Sequence, residues 1–420
     1  MPCTSPGPLA LKRRLRKILR ARPDSLIVVC LLTCLVGLGP VSTDLYLPSL
    51  PAIAETFETD AGQVQLTLSV FMFGFAVSQL AYGPLADRFG RRPVLLLGLS
   101  IYLVATIMCF LAPSIEALIA ARFLQALGAC AGPVVARAVV RDVFPFSRAA
   151  QVLSYMAMAM ALAPAVGPIV GGQLQIVFGW RATFALLAIF AVLVIASVLV
   201  ILPETNANKD PKATRPGRLL TNYRTMLADP VYRGYVAVLG LTFSGLFAFI
   251  SGSSFVLIEV VGLRPDAFGF SFAGVVAGYM VGTFASARMT RKLGPERTVS
   301  LGLAIALLGA VPMALFAFAG FAKVATVVPP MAVFMAGAGM VLPNATVGAV
   351  GRYRTVAGTA SALLGFLQMG TGAVAGVAVG QLADGTARPM AGVIALVAVL
   401  AAAAHWRGHP ARRAAEAAAE

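Results

Sequence analysis

The stretch Gly83-Pro84-Leu85-Ala86-Asp87-Arg88-Phe89-Gly90-Arg91-Arg92 interrupts a long apolar run with a short basic turn punctuated by glycine. Residues 64–85 before it and 93–112 after it are almost wholly apolar. Each is about the 20 residues a helix needs to cross the roughly 30 Å hydrocarbon core. The same alternation continues in both directions. It predicts spans at 26–50, 64–85, 93–112, 115–139, 150–174 and 181–202, then at 234–258, 268–289, 298–319, 322–347, 357–380 and 389–406. The chain thus reads as an all-α integral membrane protein with twelve transmembrane helices. Composition agrees: of 420 residues, 59% are hydrophobic and only 12% charged, with a mean hydropathy of +0.86. A soluble domain is about half apolar and a quarter charged, so an ordinary soluble enzyme is excluded.

A formal charge of +16 would raise nucleic acid as a partner, but the basic residues lie in short clusters between apolar runs, which excludes it. With the N-terminus in the cytoplasm, 28 of the 33 Lys and Arg fall on the cytoplasmic side. Only Arg181, Arg264, Lys323 and Arg388 fall outside, and Arg122 lies within a span. This asymmetry predicts that both termini are cytoplasmic. The basic stretch from Lys12 to Arg22 reads as an orientation signal before a retained first span rather than as a secretory leader. It could also lie as an amphipathic helix on anionic lipid. Cys30 and Cys34 read as small packing residues, and no group of ligands suggests a metal.

The longest polar stretch, residues 203–233, divides the chain into two six-helix halves, 26–202 and 234–406, flanked by tails at 1–25 and 407–420. Duplicated halves with a binding site between them are a common carrier design. Gly282 through Arg288, Arg291 and Lys292 reads as a weak second copy of the Gly83 turn, with Ser286 standing where Asp87 does.

Three further features carry chemistry. Asp44 alone among the seventeen acids lies within an apolar segment away from any predicted cytoplasmic loop, bracketed by Pro40 and Pro48. Burial favours the protonated carboxyl, so such a group can exchange a proton near neutral pH. The bland alternative is a carboxylate at the outer interface. Arg122 must face the bundle interior or a wet cavity, unless it snorkels to the interface. In the fifth predicted span, Ala163-Pro164-Ala165-Val166-Gly167-Pro168-Ile169-Val170-Gly171-Gly172 describes a bent helix with a flat face for a neighbour. In the Gly83 turn, Gly83 is expected to allow close helix approach and Gly90 a tight turn. Asp87, with Arg88, Arg91 and Arg92 beside it, is expected to pair with an Arg or to cap a helix end as part of a gate.

The spacing G-x-L-x-D-R-x-G-R-R resembles the cytoplasmic loop signature of the major facilitator superfamily, and A-P-x-x-G-P-x-x-G-G resembles the antiporter motif of its drug exporters. Ser42 to Pro51 (S-T-D-L-Y-L-P-S-L-P) is similar to the first span of the Bcr/CflA branch, which exports drugs such as bicyclomycin and chloramphenicol. The resemblance covers nearly all of 26–406, although Ala126 and Ala163 replace glycines usual in the family. It implies the major facilitator fold and proton-coupled efflux of small amphipathic drugs across the bacterial inner membrane. It also implies Asp44 as proton carrier and Arg122 as its coupling partner. Other expectations are a monomer in membrane lipid, driven by the proton gradient without cofactor, metal or ATP. Tyr46, Gln125, Phe243, Phe247, Asn344 and Gln368 are candidate cavity residues by polarity and aromatic character. A nutrient importer of the same fold, or a membrane enzyme or scaffold, are the alternatives. An enzyme would need convergent ionisable groups, but His405 and His409 both sit at the C-terminal end.

Overall fold

The computed structural model describes residues 25–417 apart from Asn208, Lys212 and Arg215. The basic tail and Cys3 lie outside the described residues. Among those described there are no strands, and eleven helices are long and apolar enough to cross a membrane. Ten are single spans: Leu26–Thr56, Ala61–Phe89, Arg91–Phe110, Ile115–Val143, Gln151–Phe178, Arg181–Ile201, Pro230–Val260, Val324–Tyr353, Gly358–Gln381 and Arg388–Gly408. The eleventh, Pro265–Phe318, is two spans run together, because Gly294 holds a left-handed backbone (φ 80°) that turns the chain without a loop. Twelve spans result, and each of the twelve predicted segments falls on one of them.

The two halves share a turn design. Gly90 (φ 108°) joins the second and third spans, and Gly294 joins the eighth and ninth. Only glycine adopts these angles readily, so each pair of spans closes on a single residue. Counted back from these turns, Arg291, not Ser286, occupies the place of Asp87. The sequence pairing of Gly83 with Gly282 was out of register because it aligned small residues instead of the turns. The ends where Gly90 and Gly294 lie are called the basic end below.

The first span is not one helix. It runs Leu26–Asp44, turns at Leu45 and Tyr46, passes through a short 3-10 turn at Leu47–Ser49 containing Pro48, and resumes as Leu50–Thr56. Proline cannot donate a backbone hydrogen bond, so the interruption falls where Pro48 removes one. Two packings dominate the contact between the halves: the second span lies along the eleventh, and the fifth against the eighth. Backbones approach closely in both. Gly62 meets Gly380, and Gly172 and Gly269 leave no room for a Cβ against Pro265 and Ile169. Cys30 and Cys34 lie on the exposed face of the first span, so they do not pack as expected.

Candidate functional site

Asp44 is the last residue of its helical segment and is 3% exposed. Among the described residues its carboxylate makes no hydrogen bond or ion pair. The fifth span covers it: a Cβ on Gly167 would stand 2.9 Å from the Asp44 Cβ, and one on Gly171 would collide with the Leu45 carbonyl. Pro164 and Pro168 lie in the same helix, which runs unbroken from Phe146 to Phe178. On its other side this helix meets the eighth span, Gly172 at Pro265 and Ile169 at Gly269. The segment Pro164–Gly172 is therefore wedged between the acid-bearing turn and the second half of the protein.

Arg122 is fully buried, so the interface reading of this residue is overturned. Its Nη1 donates to the Ser42 carbonyl (3.1 Å) and to Gln125 Oε1 (2.6 Å). Its guanidinium lies 4.8 Å from the Tyr46 ring centroid and 4.3 Å from that of Phe71. Nε and Nη2 have no hydrogen-bond partner among the described residues. No salt bridge joins Arg122 to Asp44; the arginine instead holds the backbone two residues before the acid.

A hydrogen-bond chain fixes this arrangement. Gln125 Nε2 donates to Thr106 Oγ1 (2.8 Å), and Thr106 donates to the Tyr102 carbonyl (2.6 Å). The Tyr102 hydroxyl bonds Ser42 Oγ (2.7 Å), which itself donates to the Leu38 carbonyl (2.6 Å). Tyr46 reaches Thr67 on the second span (3.1 Å). The first four spans thus converge on one buried cation, with most neighbouring polar atoms satisfied, as a low-dielectric interior demands. Phe71, Thr67, Tyr102 and Thr106 were not singled out from the sequence. The one available signal was the spacing of Tyr102 and Thr106, which puts them on one helix face.

The remaining candidates fall elsewhere. Phe243 and Phe247 stack on each other on the seventh span (6.4 Å, 15°) and press against Gly372 and Gly376 of the eleventh. Asn344 is engaged within the second half, donating to Ser286 Oγ (2.8 Å) and accepting from Thr290 (3.0 Å). Gln368 is half-buried on the eleventh span, without a side-chain hydrogen bond among the described residues.

At the basic end, Arg91 is bonded by Asp87, one turn earlier, and by Asp142 at the end of the fourth span (2.9 Å). Glu204 accepts from the backbone N–H groups of Arg91 (2.9 Å) and Arg92 (3.1 Å), capping the third span. Arg92 donates to the Leu199 carbonyl (2.7 Å), and Arg88 reaches Thr214 (2.6 Å). Asp87 pairs with an arginine, but the helix cap comes from Glu204. Close helix approach at Gly83 is not found: a Cβ there would meet nothing within 4 Å, because this side of the helix faces open space. Asp142 and Glu204 were invisible in the sequence because they lie 51 and 113 residues from Arg91.

Comparison with known proteins fits this architecture. The profile described as Major Facilitator Superfamily matches residues 29–377. A bicyclomycin resistance protein homolog of Haemophilus influenzae is 31% identical over 383 residues, 90% of this chain and 96% of that protein. Multidrug resistance protein D of Escherichia coli is 30% identical over 355 residues, 84% and 89% of the two chains. A chloramphenicol resistance protein of Pseudomonas aeruginosa is 29% identical over 327 residues, 78% and 77%. Among solved structures, a bacterial homolog of the human lysosomal transporter Spinster, inward-facing and occupied, matches with a TM-score of 0.74 at 17% identity. That match covers 94% of this chain and 98% of the other, and it is a likeness of fold.

Proposed function

The chain belongs to the Major Facilitator Superfamily, transporters of small molecules, as a multi-pass protein of the bacterial cytoplasmic membrane, and from that premise we propose that it exports small amphipathic drugs in exchange for protons. The substrate class follows the relatives named for resistance to bicyclomycin, chloramphenicol and multiple drugs. In this reading the protein is a transporter and not an enzyme. It works as a monomer in lipid, without ATP, with both termini and the linker 203–233 in the cytoplasm and with halves 26–202 and 234–406 rocking about the centre.

The observation that carries the reading is Asp44. It is a buried, unpaired carboxylate at a helix break, beside a buried arginine and beneath the span that touches the other half. Protonation removes the charge and lets the fifth span lie on it. Deprotonation places a charge under Gly167 and Gly171 and so weakens the contact that runs on to the eighth span. Arg122 holds the Ser42 carbonyl and keeps the acid-bearing turn in register with the fourth span. A proton entering at a potential of about 100 mV brings about 2.3 kcal/mol. Export of a neutral drug against a gradient of about tenfold costs about 1.4 kcal/mol, so one proton is enough.

The test is drug-dependent proton release from the purified protein in weak buffer near neutral pH, wild type against Asp44→Asn, with chloramphenicol-like and cationic drugs. Release that disappears in the variant supports the reading. Release that persists moves the proton site elsewhere and overturns it.

A further inference from the structure

At the end opposite the basic turns, a cavity of about 140 Å³ opens between the two halves. This is room for a small organic molecule rather than a single water. Its floor is Gln65 of the second span, which is 2% exposed. Gln65 Oε1 accepts from Ser251 of the seventh span (3.1 Å), while its amide nitrogen makes no hydrogen bond among the described residues and is left to the cavity it lines. The walls are apolar: Phe255, Val256 and Met390. At the rim stands Glu259, which makes no ion pair among the described residues. It is carried on Phe255–Val260, where the seventh span switches from α to π winding. A π turn inserts a residue into a helix and re-aims the side chains that follow, and such turns are frequent at binding sites.

The surroundings set the sign of the ligand. Thr386 closes one side, with its hydroxyl donating to Asp384 behind it (2.6 Å). Glu55 approaches from the extension of the first span, which packs on the π turn. Arg388 neighbours Asp384, and of these three acids only Glu259 lines the cavity, with Glu55 adding to the negative charge beside it. An apolar, partly aromatic cavity with a carboxylate in its lining, a second acid beside it and an amide at its floor fits an apolar cation.

We propose that this cavity is a binding site for small amphipathic organic cations, separate from the centre around Asp44 and Arg122. Ala61 and Gln65 belong to the first half, and every other lining residue to the second. Any movement that parts the halves at this end dismantles the site. A guest bound there selects the state in which this end is closed.

The experiment is calorimetric titration of the full-length protein in nanodiscs with benzyltrimethylammonium, using benzenesulfonate as an anion of similar shape. Saturable binding of the cation and none of the anion is expected. Glu259→Gln should weaken it by about tenfold, the loss of one charged contact. Met390→Trp should block it by filling the cavity, and Asp44→Asn should retain it. Absence of saturable binding, equal binding of the anion, or wild-type affinity in both Glu259→Gln and Met390→Trp overturns the proposal. Loss of binding in Asp44→Asn also overturns it, by moving the cation to the central site. None of these readouts requires transport, so failure here is distinguishable from failure of the antiport reading.

Discussion

Arg122 sits between two aromatic rings with Nη1 bonded and with Nε and Nη2 unbonded among the described residues. Its planar guanidinium can stack on Tyr46 and Phe71 while donating to Ser42 and Gln125; an ammonium cannot do both. Arg122→Lys should therefore lower drug-driven proton exchange by at least about tenfold while the protein stays folded, each cation–π contact being worth about 2 kcal/mol when desolvated. Transport and thermal melting of the same sample check this. Tyr102→Phe removes one hydrogen bond to Ser42 and should cost about 1 kcal/mol, a small drop in melting temperature. Asp44 and Arg122 were legible in the sequence because a charge in an apolar run stands out. Phe71, Thr67 and Tyr102 were not, because aromatic and hydroxyl side chains are ordinary in membrane helices and only their meeting around one cation distinguishes them.

Glycines at the level of the element divide by what they touch. At Gly171 a side chain would strike the Leu45 carbonyl, so Gly171→Val should push the fifth span off the first, abolishing export and lowering the melting temperature by several degrees. Gly83→Ala meets open space and should leave export within about twofold of wild type and the melting temperature unchanged, or raise stability by a few tenths of a kcal/mol through its higher helix propensity. Export assays with melting curves on the two variants separate these outcomes. The apolar runs announced all twelve spans, because length and hydropathy suffice for that. The one-residue turn at Gly294 was hidden by the polar run from Arg288 to Arg297, which reads as a loop. The cap by Glu204 was hidden for a different reason: side chains distant in sequence are brought together only by packing.

Across the whole molecule, the hydrogen bonds that cross from one half to the other among the described residues lie at the end opposite the basic turns. Ser254 Oγ donates to the Leu47 carbonyl (2.7 Å), and Ser251 donates to Gln65 (3.1 Å). Alternating access requires both to break. In a background without the native cysteines, Gln65→Cys with Ser251→Cys joined by a short bismaleimide should stop turnover, while either single variant treated alike should continue. Continued transport in the crosslinked pair would show that this end need not open. The halves were legible from the polar linker. The cross-half contacts were not, since they join the second span to the seventh and eleventh and the fifth to the eighth, segments whose apolar sequences carry no mark of partner choice.

The acid-bearing turn also has an electrical position. Arg122 lies seven residues from Ile115, about 10 Å along its helix, and its bond to Ser42 sets Asp44 at a similar level. In the proton exchange proposed above, and with Ile115 taken as the outer edge of a roughly 30 Å core, a proton would cross about a third of the core to reach Asp44 and about two thirds to leave at the basic end. Of the roughly 2.3 kcal/mol that 100 mV supplies, about 0.8 acts on loading and about 1.5 on release. On that proposal membrane voltage should accelerate discharge of Asp44 more than its charging, so hyperpolarisation should raise the maximal rate of proton-driven export more than it raises apparent proton affinity.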